Sequence, residues 1–204
     1  MQNSPLRVSA RAGGHAPQQN ADQLAAEFPI LGRYLGDIRF NAAVQGFLLE
    51  AASRKVKSSA TSFPDFLRAS FKTWPEIGEL ARLEQGFKRA GEIHADHSFA
   101  LPASALTDAR QSRLRLHPSV QLLVFNQNTT SLWSCLVCGE VPPRPYHLDQ
   151  PQYVIIWRHD RMPRFRILGD DEARDLAAFQ KRPSRQSPYF LGWVKAGLVL
   201  ELLK

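Results

Sequence analysis

Arg158, Arg161, Arg164 and Arg166 crowd one short stretch in which Asp160 is the only acidic residue. Such a basic group suits an acidic peptide, an acidic protein surface or nucleic acid, and charge alone does not choose among them. The plainer reading is a solvated surface around a turn. Cys135 and Cys138 form a C-x-x-C pair. A zinc site would need two further ligands, with His147 and His159 as the available imidazoles, and a thioredoxin-like role would need a strand-to-helix turn in a βαβ context. Ordinary reduced thiols are the first reading, with metal and redox roles beside it. His94, Asp96 and His97 read as a helix C-terminus, where imidazoles meet exposed carbonyls, ahead of a metal cluster. His117, fixed before Pro118, reads as a hydrogen-bonding structural residue, because no nucleophile is marked nearby. Glu84 has no acidic neighbour with which to split pKa values, so an i,i+4 ion pair to Lys88 is the plainer expectation.

The sequence contains no G-x-S-x-G elbow, no G-x-x-x-x-G-K-[ST] loop, no G-x-G-x-x-G and no H-E-x-x-H. The expectation is a chain without a complete active site of its own: no catalytic residue, no metal ligand and no cofactor.

The 204 residues are 44% hydrophobic and 22% charged, ordinary values for a chain that folds around a core. The net charge of +7 is uneven, with 12 Lys/Arg against 10 Asp/Glu in residues 1–100 and 14 against 9 in residues 101–204. No apolar run reaches the roughly 18 residues of a membrane span, and the N-terminal stretch around Arg7 and Arg11 lacks an apolar signal centre. The expected compartment is the cytoplasm.

Positioning elements follow from periodicity. Residues 1–20 lack apolar spacing and read as a disordered tail. Residues 21–110 read as a helical domain. A helix from near Asp22 places Leu24, Phe28 and Leu31 on one face, with Pro29 ending or kinking it, and a second runs from about Asp37 to Lys57. Ser62 with Asp65, and Thr73 with Glu76 ahead of Pro75, read as two helix starts. The second opens a stripe of Ile77, Leu80, Leu83, Phe87 and Ala90. After a connection with a short helical turn near Ala103–Leu106, residues 111–204 read as a mixed β/α domain. Arg113–Leu116 and Val120–Phe125 are strand-like, and Thr129–Val137 is ambiguous between helix and strand. Tyr153–Arg158 and Arg164–Leu168 form a hairpin turning at Arg161–Pro163. A helix capped by Asp170, another opened by Ser187 and Pro188, and a closing strand from Leu198 complete an α+β chain: a helical bundle joined to a small winged-helix-like unit. The hairpin can offer a sheet edge to an extended peptide, with Tyr153, Ile155, Trp157, Arg158, Arg164 and Arg166 as the candidate peptide-binding residues. A basic wing reading DNA is the rival.

FPILGRYLG, SFPDFL, ELARLEQGFKRAGEIHAD, LRLHPSV, SLWSC, YVIIWR and GWVKAGLVLEL, in this order, resemble the HvfC/BufC family, an older label for which is DNA-binding domain. The likeness spans about residues 24–203 and is nearest to its MbnC-like branch, the partner proteins of methanobactin biosynthesis. Its most specific parts are Arg82–Glu84 and Leu116–Pro118; the family often continues the first with Trp-Ala, where this chain has Gln85 and Gly86. The resemblance implies a non-catalytic subunit of a heterodimer. The partner is an iron-containing TIM-barrel oxidase (MbnB-like) that converts cysteines of a ribosomal precursor peptide (MbnA-like) to oxazolone and thioamide groups, building a copper chelator. It also implies that the C-terminal part pairs with a strand of the leader peptide, while the bundle holds the oxidase.

Overall fold

A computed structural model of the chain describes residues 15–54, 59–93 and 113–202. In chain order these form α1 (His15–Glu27), α2 (Pro29–Leu35), α3 (Asp37–Ser53), a single 3-10 turn (Ala60–Ser62), α4 (Phe63–Ser70) and α5 (Pro75–Glu92). There follow β1 (Arg113–Leu116), β2 (Gln121–Gln127), α6 (Thr129–Cys138), β3 (His147–His159), β4 (Met162–Leu168), α7 (Asp170–Lys181), α8 (Phe190–Lys195) and β5 (Val199–Leu202). The fold is α+β, with helices leading and two small antiparallel sheets, β2-β3-β4 and β1-β5. Among the described residues, no helix is long and apolar enough to cross a membrane.

Helix α1 begins at His15, ahead of the expected start near Asp22. The stretch lacks an apolar stripe, but Pro17 lies in the first turn, where a missing N–H costs nothing. Pro29 separates α1 from α2 by standing at the first position of the new helix. Ser62 is the N-cap residue of α4, as expected, though without a side-chain cap bond, and the capping box of Thr73 and Glu76 does not form. Ser62 Oγ donates to Ser59 O instead, and Trp74, not Thr73, is the N-cap of α5, with Glu76 turned inward to accept from the Tyr34 hydroxyl at 3.2 Å. Asp170 likewise sits inside α7, whose N-cap is Gly169. At the first two of these starts prolines occupy the first turn, which sets the helical φ without a side-chain cap.

The stripe on α5 is buried as expected at Ile77, Leu80, Leu83 and Ala90. It packs among Phe28, Phe63 and Phe47, where the Phe63 ring stands 5.2 Å from each of the other two. Two glycines let α5 approach its neighbours closely. A Cβ on Gly78 would lie 3.0 Å from the Arg68 backbone of α4, and one on Gly86 would lie 2.5 Å from Ile156 Cδ1 of β3.

Strand β3 is central in its sheet and buried on both faces, which explains the continuous apolar run Tyr153–Trp157. Its alternation divides the interior. Val154 and Ile156 face the bundle, joining Phe125, Leu132 and Trp133, while Ile155 and Trp157 face Leu176, Phe179, Trp193 and Val199. Thr129–Val137, ambiguous by pattern, is helical: Leu132, Trp133 and Leu136 are buried at helical spacing, and Gly139 closes the helix with φ +76°. The turn of the hairpin is Asp160–Arg161, both at positive φ (50° and 66°), so Met162 and Pro163 belong to β4 rather than to the turn. Strand β3 also starts earlier than expected, at His147. His94, Asp96, His97, Lys55, Lys57, residues 1–14 and the Ala103–Leu106 turn lie outside the described residues.

Candidate functional site

The β3–β4 hairpin carries the sequence's best site candidate, and its register determines which groups face outward. A two-residue turn makes His159 and Met162 a hydrogen-bonded pair, so pairing alternates along the strands. Trp157–Arg164, Ile155–Arg166 and Tyr153–Leu168 exchange backbone bonds; Arg158–Pro163, Ile156–Phe165 and Val154–Ile167 do not. On β4 the outward positions are therefore Pro163, Phe165 and Ile167. Proline there removes an N–H that β3 does not use, which shortens the exposed edge without weakening the ladder. What remains is the backbone of Phe165 and Ile167, without a partner among the described residues. On the opposite edge of the sheet, β2 turns Leu122 and Val124 outward by the same alternation, and its far end is closed by Glu79, which accepts from Asn126 N at 2.8 Å and Gln127 N at 3.1 Å.

The arginines separate into two kinds. Arg158 reaches the C-terminal end of α5, its guanidinium donating to Gly91 O at 3.1 Å and Ile93 O at 2.5 Å. It occupies carbonyls that a helix end leaves without partners. Arg166 makes a two-pronged bridge to Glu172 of α7 at 2.8 and 2.7 Å, and Glu172 also accepts from the buried Trp193 indole at 3.0 Å. Burial raises the Glu172 carboxyl, but Arg166 and the indole outweigh it and hold the group below the usual carboxylate range. Arg161 and Arg164 are exposed and have no partner among the described residues. Of the other candidates, Ile155 and Trp157 place their side chains in the core, with Trp157 Nε1 donating to Ala196 O at 2.9 Å. Tyr153 is half-buried in the same cluster.

His117 is a structural junction. Ser119 N donates to His117 Nδ1 at 3.1 Å, Ser119 Oγ lies 2.6 Å from the same nitrogen, and Arg158 N donates to Ser119 Oγ at 2.8 Å. Nδ1 is thus an acceptor, and burial together with Arg158 and Arg115 lowers the imidazole pKa below its ordinary value. Glu84 differs from expectation. Lys88 pairs with Glu27 at 3.4 Å, and Glu84 instead accepts from Ile30 N at 2.7 Å and Leu31 N at 2.9 Å, capping α2 from another helix. Burial pushes its carboxyl up to about 7, against the pull of those two N–H groups and the Lys88 ammonium. Cys135 is half-buried and Cys138 exposed, one turn apart on α6. Among the described residues, no three potential metal-ligating side chains converge.

Sequence reasoning did not find Glu172, Ser119 or Glu79 as organisers of the hairpin and its neighbours. Each acts on residues remote in the chain or across a turn, and none carries a local signal. Comparison with protein-family models returns no match, and comparison with curated proteins returns no significant relative.

Proposed function

We propose that this chain is a peptide-presenting, non-catalytic subunit that binds the leader of a ribosomal precursor peptide along β4 and pairs with an iron-containing TIM-barrel oxidase, as the MbnC-like resemblance implies. The observation that carries the peptide-binding part is the backbone of Phe165 and Ile167, unpaired among the described residues, beside the exposed guanidinium of Arg164. An added strand would gain backbone hydrogen bonds there, and an acidic side chain would meet Arg164. The recognition is then made by the edge and by Arg161 and Arg164, while Ile155, Trp157, Arg158 and Arg166 hold the edge in place. In this reading the hairpin, α7, α8 and β5 form the winged-helix-like unit, and the iron belongs to the partner.

The DNA-binding alternative needs a helix able to approach phosphates. Helix α7, which follows the hairpin, carries Asp170, Asp171, Glu172 and Asp175 against Arg174 and Lys181, and α8 is short and largely apolar. That charge repels a phosphate backbone.

The test co-expresses the chain with an iron-containing TIM-barrel oxidase subunit of the MbnB-like kind and titrates a labelled acidic leader peptide into the complex. A stable heterodimer and peptide binding that Arg164→Glu weakens about tenfold are expected, the scale of a contacting charge whose sign is reversed. A chain that stays monomeric beside the oxidase and ignores the peptide overturns the reading. Tight binding of duplex DNA, falling steeply with salt, would favour the alternative instead.

A further inference from the structure

Strand β2 is the second edge of the three-stranded sheet, and its sequence QLLVFNQ holds neither a charged residue nor a proline. An edge strand presents N–H and C=O groups that invite another strand, and such edges are ordinarily guarded by charge or proline. The opposite edge is guarded in that way, for β4 carries Pro163, Arg164 and Arg166. Strand β2 has no such guard: Val124 is 42% exposed, and Leu122 and Leu123 are half-buried.

The open part of β2 has sharp limits. Gln121, Leu123 and Phe125 exchange their backbone bonds with Ile156, Val154 and Gln152, so Leu122 and Val124 point theirs outward. Neither has an outward main-chain partner among the described residues. On one side of this window, Val120 N is used in a turn, donating to His117 O at 2.9 Å. On the other, Asn126 N is taken by the Glu79 carboxylate at 2.8 Å. The open edge is therefore Leu122–Val124, centred on Leu123.

We infer that a second copy of this chain occupies this edge, β2 pairing antiparallel with its own counterpart about a two-fold axis at Leu123. Such a contact is isologous, so the window must complement itself, and it does. Leu122 stands opposite Val124 of the second copy, and Val124 opposite Leu122 of the second copy. Both are outward positions, so each pair exchanges both main-chain bonds. A shift of two residues in either direction sets one of them against Val120 or Asn126, whose N–H groups are already engaged. In the centred register the second copy's strand ends at Gln121, opposite Phe125, and stops short of Glu79. The side chains agree with the backbone. Leu122 and Val124 lie on the face of Ile155 and Tyr153, and their cross-strand pairs are leucine on valine. Charge does not oppose the approach, as it would at β4, where the arginines of two copies would meet. The contact is short, which places it in the weak, reversible class. The inference stands on the β2 edge alone and does not rest on the peptide reading of β4.

The experiment is sedimentation equilibrium of the purified chain, without peptide or oxidase, from low to high micromolar concentration. A reversible dimer is expected, and amide hydrogen exchange at Leu122 and Val124 should slow as the dimer forms. Val124→Lys, which puts a charge among the cross-strand pairs, and Val124→Pro, which removes an N–H that β3 does not use, should each weaken dimerisation at least about tenfold. The lysine variant changes only an exposed side chain and tests the pairing even where the proline variant unfolds. Ile38→Lys, at an apolar position of α3 that is 87% exposed, should dimerise as the parent does. A chain that stays monomeric throughout overturns the inference, as does a dimer in which exchange at Leu122 and Val124 is unchanged. Parent-like dimerisation by Val124→Lys, loss of the dimer in Ile38→Lys, or masses growing beyond two copies would overturn it as well.

Discussion

Glu76, Glu79 and Glu84 leave helix α5 for three different destinations: the Tyr34 hydroxyl, the β2–α6 junction and the N-terminus of α2. The arginines of the β3–β4 hairpin are spaced as regularly, but among the described residues only Arg158 and Arg166 find internal partners, and Arg161 and Arg164 are exposed. In the sequence the two sets look alike, charged residues recurring along one element. The difference lies in what surrounds them. A helix in the middle of a bundle must satisfy the backbone ends of its neighbours, and a carboxylate does that for N–H groups. A hairpin whose outer strand is a sheet edge is covered only in part, so its charges are divided between bracing and display. Charge becomes a functional signal only after the internal partners have been counted.

The comparison breaks first at Glu84. Glu84→Ala leaves two buried N–H groups without an acceptor and should cost about 3 kcal/mol near pH 5, measured by urea unfolding. Glu84→Gln, which keeps one acceptor, should cost less. The same carboxyl gives a pH signature. Its folded pKa of about 7 stands above the ordinary 4.5, so the folded state holds the extra proton and this contribution to stability is lost as pH rises from about 4.5 to about 7. His117 runs the other way, because its lowered folded pKa removes stability as pH falls below 6.5. Subtracting the Glu84→Gln unfolding curve from the parent's across this range should isolate a declining difference; a flat difference would assign Glu84 no proton in the window.

Glu172→Ala tests the bracing half of the hairpin. It strands the Trp193 indole and releases Arg166, at an expected cost of about 2 kcal/mol by the same measurement. The display half should respond least: Arg164→Glu, which weakens the peptide, should change stability by no more than about 0.5 kcal/mol. A larger loss would move Arg164 into the bracing set.

Much of this fold was legible because it follows local rules. The stripe Ile77–Ala90 and the strand Tyr153–Arg158 both appear where periodicity puts them. Capping was misread at Thr73 and Asp170, since a cap motif specifies a neighbourhood and the backbone decides the residue. The hairpin and its free arginines could be anticipated; the internal roles of Arg158 and Arg166 could not, because their partners, at Gly91, Ile93 and Glu172, are fixed only by how α5 and α7 pack. Glu84 shows the same limit, for Lys88 was the nearest cation in sequence and the N-terminus of α2 lies 53 residues away.

Strand β3 contributes alternate side chains to two separate clusters, Val154 and Ile156 to one and Ile155 and Trp157 to the other. Neither cluster can come apart without removing a wall from the other. The bundle and the C-terminal helices are therefore bound into one cooperative unit, and an edge strand that would be a frayed margin on an isolated hairpin inherits the protection of the whole chain.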